Sequence, residues 1–183
     1  GNHRARVGDD RLPVKWRRTA AAVALVILGV ALQTTLFVRL RPFGASPALA
    51  LLLTLAVSRH LGRMPSLVVG FSTGLLFDLL SESPLGLWAL VLTTVAFVTV
   101  RLRQRFEDDL SLLIPGVFLL TFAGLALYAL LGTIFGEQTL ADAQVVRKML
   151  LPAVYNTILA PAILPPVTWL LGARGGARAR WDR

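Results

Sequence analysis

Few residues in this 183-residue chain could do chemistry, and their spacing limits what that chemistry is. There is no cysteine, so disulfides, thiolate metal sites and cysteine nucleophiles are excluded. His3 lies in a polar tail and His60 in the basic turn Arg59 to Arg63, so neither supplies a ligand or an activating base within an apolar segment. Asp78 and Glu82 are four residues apart, which puts two carboxylates on one helix face, but no third ligand accompanies them. Gly70 and Gly74 are not followed by the lysine of a phosphate-binding loop. No metal, cofactor or catalytic residue is expected, and the chain reads as a non-enzyme.

What remains are polar groups set inside apolar sequence. In GFSTGLLFDLLSESPLG, from Gly70 to Gly86, the residues Gly70, Gly74 and Asp78 recur at i, i+4 and i+8. On a helix they form one stripe along which a neighbouring backbone can approach closely. Ser81 to Gly86 reads as a helix exit and a tight turn. Asp78 is expected to accept hydrogen bonds from that turn, or from hydroxyls and amides of neighbouring helices, and so to fix where its helix ends. The alternative role is contact with a partner protein. A second polar position, Asn156 beside Tyr155, lies in MLLPAVYNTILAPAILPPVTWLLG, interrupted by Pro152, Pro161, Pro165 and Pro166. Prolines at such positions remove helical hydrogen bonds and bend a helix. Asn156 is expected either to bond a freed carbonyl or a neighbouring helix, or to line a cavity.

The elements that position these groups belong in lipid. The chain is 55% hydrophobic and 16% charged, against roughly 25% charged residues in a typical soluble domain. Its uncharged runs are Thr19 to Val38, Pro42 to Ser58, Met64 to Phe77, Ser83 to Val100, Leu110 to Gly136 and Met149 to Ala173. A hydrocarbon layer about 30 Å thick needs about 20 helical residues. The expected fold is all-α: a compact polytopic bundle of six transmembrane helices over residues 19–173. The second and third runs are short enough that a re-entrant pair is the alternative to full crossings. No signal peptide is expected, and residues 1–18 and 174–183 read as cytoplasmic basic tails.

Orientation follows from the basic residues. With six crossings, fifteen of the 19 lysines and arginines fall on one side and four on the other, which places both termini in the cytoplasm. Trp16, Trp88 and Trp169 read as interface anchors. The net charge of +9, confined to short loops, implies topology and anionic lipid and not nucleic acid. In RLRQRFEDD, Arg101 to Asp109, the basic half should close the fourth helix and the acidic half open the fifth. Thr139 to Asp142 resembles a capping box, so a short helix at the outer interface is expected through Lys148.

Six spans with Gly70, Gly74, Asp78 and Gly86 around the third and fourth, and Tyr155, Asn156 and Pro161 in the last, resemble the rod shape-determining MreD family. That resemblance implies a multi-pass component of the bacterial plasma membrane that acts as a non-catalytic scaffold in cell-wall elongation. It implies a bitopic MreC-like partner and, within a complex, a RodA-type polymerase and a class B penicillin-binding protein, with MreB reached indirectly. A homodimer is left open. The family is also similar in span number and glycine usage to the substrate-capture components of energy-coupling vitamin transporters. The alternative function is therefore a substrate-binding subunit of such a transporter, with Asp78, Tyr155 and Asn156 as cavity polar groups.

Overall fold

The computed structural model describes residues 14–35, 48–81, 84–105, 110–136, 140 and 143–172. They form α1 (Val14–Thr35), α2 (Leu49–Ser58), α3 (Arg63–Leu80), α4 (Leu87–Arg105), α5 (Leu110–Ile134) and α6 (Val145–Gly172). The class is all-helical, and three helical segments, Arg63–Leu80, Leu112–Ile134 and Val145–Leu171, are long and apolar enough to cross a membrane. The others are limited by charge or length. The apolar part of α1 is Ala20–Gln33, behind a first turn holding Lys15, Arg17 and Arg18, and α4 ends with Arg101, Arg103 and Arg105.

The ten residues of α2 span about 15 Å, half the hydrocarbon thickness, and all ten are buried. Its sequence, LALLLTLAVS, carries no charge and only the small hydroxyls of Thr54 and Ser58, which suits a helix with neighbours on every side. α2 touches each of the other helices, while α1, α3, α4, α5 and α6 follow one another in a ring around it. The core gathers on this axis: Leu51, Leu52 and Val57 meet Val26 and Val30 of α1, Val69 of α3, Leu92 of α4, Val117 of α5 and Leu164 of α6. The ring is most tightly joined between α3 and α4 and least between α6 and α1.

Two helices begin well before their apolar runs. α1 begins at Val14, five residues before the apolar run. α6 begins at Val145 and absorbs Arg147 and Lys148, the Lys148 amide donating to the Gln144 carbonyl at 2.9 Å. Val145 to Lys148 thus form no separate interfacial helix. Thr139, Asp142, Glu107, Asp108 and Asp109 lie outside the described residues, as do most of both tails. α6 stays helical through all four of its prolines.

Candidate functional site

The stripe on α3 lies against α4, and the fit is backbone to backbone. A Cβ at Gly74 would overlap the Cα and N of Ala89 and the carbonyl of Trp88. One at Gly70 would stand 2.8 Å from the Leu92 carbonyl oxygen and 3.1 Å from the Ala96 Cβ. Only glycine permits this separation at Gly74, and it is what lets one turn further along α3 reach the start of α4.

There Asp78, 2% exposed, points its carboxylate at the first turn of α4. Oδ2 accepts from the Gly86 amide at 2.9 Å and the Ala89 amide at 3.2 Å, and Oδ1 accepts from the Trp88 amide at 3.1 Å. The first amides of any helix lack intrahelical acceptors and carry the positive end of its dipole. An N-cap side chain normally serves them from the adjacent sequence; here the acceptor comes from another helix. The remaining early amide, Leu87, donates to the Pro84 carbonyl at 3.2 Å, and Leu90 makes the first regular bond, to Gly86, at 3.0 Å. The helix start is thus fully paired, which resolves how a carboxylate survives at this depth.

The turn between the helices is shaped for this. At the end of α3 the Ser81 amide and hydroxyl both donate to the Phe77 carbonyl, at 2.9 and 2.7 Å. Gly86 has φ +94°, a conformation that other L-residues rarely adopt, and its amide thereby faces Asp78. Trp88 is half-buried and packs within the bundle: its ring meets Phe77 edge-on at 5.0 Å and stacks on Tyr128 of α5 at 4.5 Å. Sequence reasoning missed this because a tryptophan near a helix start fits either role. Trp169 is 73% exposed, and the Trp16 side chain is outside the described residues.

Asn156 forms a second polar joint. Fully buried on α6, it donates through Nδ2 to the Ala48 carbonyl at 2.9 Å and to Thr121 Oγ1 of α5 at 3.3 Å. Ala48 is the N-cap of α2, and its carbonyl also receives the Leu52 amide at 3.1 Å. One side chain therefore ties α6, α5 and the entry to the central helix. Its Oδ1 is buried with no hydrogen-bond partner among the described residues. Tyr155 is half-buried beside it. The structure does not bring the two groups together: α3 and α6 make no contact among the described residues, and α2 separates them.

At the other end of α3 the helix ends are tied by basic residues. Arg63 and Arg101 each place a guanidinium 5.3 Å from the centre of the Phe97 ring, and Arg103 donates to the Arg59 carbonyl. His60 Nε2 lies 3.1 Å from Thr168 Oγ1 of α6. Between α2, α4 and α5 there is a cavity of about 300 Å³. None of Asp78, Tyr155 and Asn156 lines it.

Gly70, Gly74, Asp78, Gly86 and Asn156 are therefore joints between helices, and their layout is part of the one on which the resemblance rests. The model of the family described as rod shape-determining protein MreD matches residues 17–171, from the first turn of α1 to the last of α6. No curated protein matches the chain, and no solved structure does. With most of its length and all six helices covered by that match, the chain belongs to the rod shape-determining protein MreD family.

Proposed function

We propose that the chain is a non-catalytic scaffold of the bacterial wall-elongation machinery, which binds an MreC-like bitopic protein and through it the RodA-type polymerase, the class B penicillin-binding protein and MreB. The family match over residues 17–171 carries this reading: the family is a structural membrane component of rod-shape determination and is not a known enzyme family. In this proposal the chain crosses the bacterial plasma membrane six times with both termini cytoplasmic. Gly70, Gly74, Asp78 and Gly86 keep α3 and α4 in fixed register, and Tyr155 with Asn156 does the same for α6, so that a partner meets a rigid surface. A rigid surface supports binding because little order has to be gained on association.

The test is co-purification from detergent with the membrane segment of an MreC-like partner, alongside an assay for turnover of lipid-linked wall precursor. Capture without turnover is the expected outcome. Failure to capture the partner, together with tight retention of a vitamin-sized ligand, would replace this reading with the transporter one.

A further inference from the structure

The cavity between α2, α4 and α5 has a chemistry that the scaffold reading does not use. Its walls are apolar: Leu102 of α4 and Leu112, Gly116 and Leu119 of α5 take part. Thr99 also lines it, but its hydroxyl already donates to the Val95 carbonyl at 2.7 Å. Among the described residues, the only other polar side chains on it are Arg59, at the C-cap of α2, and Arg103, in the last turn of α4. A polar solute would find few partners along such walls. Leu112 and Leu119 are 48% and 64% exposed, so the cavity is open sideways on the outer surface of the bundle, where a membrane protein meets hydrocarbon. The arginines stand at one end, which also carries Arg63 and Arg101. Asp78, the one acid among the described residues, is at the opposite end of the α3 and α4 pair.

We propose that this cavity holds one anionic phospholipid, with an acyl chain along Leu102, Gly116 and Leu119 and the phosphate on Arg59 and Arg103. Guanidinium groups suit the phosphate because their planar fork donates two parallel hydrogen bonds to it. The bilayer supplies the rest: a chain that enters laterally and a charged head held at the interface, where arginine stems extend along apolar surface. Arg103 donates to the Arg59 backbone carbonyl, so the two residues meet at this end of the cavity. The inference requires the chain to lie in a bilayer and does not depend on the MreC-like partner, so the two can fail separately.

The test is native mass spectrometry of the full chain in detergent with phosphatidylglycerol or phosphatidylcholine of matched acyl chains. Phosphatidylglycerol should be retained preferentially, and Arg59→Gln and Arg103→Gln should each reduce its retention about fivefold, the scale of one basic residue at an anionic lipid surface. Gly116→Leu should abolish retention by filling the cavity; it has room to fold, since a Cβ there meets nothing within 4 Å. If the arginine variants fail to fold, Gly116→Leu decides alone. Equal retention of the two lipids would overturn the proposal. Unchanged retention in Gly116→Leu would overturn it by placing the lipid on the general surface. Displacement of the lipid by equimolar inorganic phosphate, or its replacement by a co-purifying protein segment, would overturn it in favour of those occupants.

Discussion

The Asp78 carboxylate on α3 accepts the amide of Ala89 on α4 at 3.2 Å, one turn along from the place where Gly74 lies against the same Ala89 backbone. Close approach and hydrogen bond are one construction. Hydrophobic attraction between helices is weak in lipid, so packing across small residues and a few polar bonds must hold a bundle together. The glycines let α3 come near enough for Asp78 to pair a helix start that would otherwise be left with orphan amides.

The glycines should respond to substitution in a definite order. Gly74→Ala should lower the melting temperature of the purified protein most, because the new Cβ overlaps backbone that cannot rotate away; overpacking of this kind costs about 1 to 3 kcal/mol. Gly70→Ala should cost less, since its tightest contact, with the Leu92 carbonyl oxygen, is 2.8 Å and so looser than that of Gly74 with the Ala89 backbone. Gly116→Ala should be neutral or stabilising, with open space around it and a gain in helix propensity of up to about 1 kcal/mol. Thermal melts of the three variants in detergent check the order.

At Asn156 the expected ranking runs against conservative substitution. Asn156→Leu removes two hydrogen bonds and also the unpartnered Oδ1, and the Ala48 carbonyl keeps its bond from Leu52. Its net cost should be about 1 kcal/mol. Asn156→Asp keeps the shape but turns a carboxylate toward the Ala48 carbonyl, two acceptors in a buried site, and should cost more. The measurement is again a melting temperature, and an aspartate variant as stable as wild type would show that water or another donor reaches the site.

Topology is testable because the chain has no native cysteine. Single cysteines at Glu82 and Gln138 should react with an impermeant thiol reagent from outside the cell, and one at Arg63 should not. Labelling at Arg63 from outside would end the six-crossing proposal.

The legibility of the sequence varied with the range of the interaction. Helix existence followed from apolar runs, and the face of α3 followed from the spacing of Gly70, Gly74 and Asp78, both of which are local properties. Which helix that face meets was not legible, because any small-residue surface could have received it. The central place of α2 was hidden for a related reason. A run from Pro42 to Ser58 reads as a short span, and only the neighbours on every side explain why all ten of its helical residues are buried. Asp78 was readable as an acceptor for its own turn, of which Gly86 is part; the bonds to Trp88 and Ala89 required the antiparallel register of α3 and α4. The packing of Trp88 was not legible because its sequence neighbourhood says nothing of Tyr128, forty residues on.

The central claim is that Asp78 fastens the start of α4 to α3, and the most direct measurement is the melting temperature of Asp78→Asn and Asp78→Leu against wild type. Asparagine can keep the Oδ2 bonds to Gly86 and Ala89 while setting an NH2 against the Trp88 amide, so it should lose part of the stability. Leucine leaves all three amides without their acceptor in a buried site, at about 1 to 3 kcal/mol for each unsatisfied group, and should melt well below the asparagine variant. A leucine variant as stable as wild type that had lost the MreC-like partner would contradict this account and assign Asp78 to an interface.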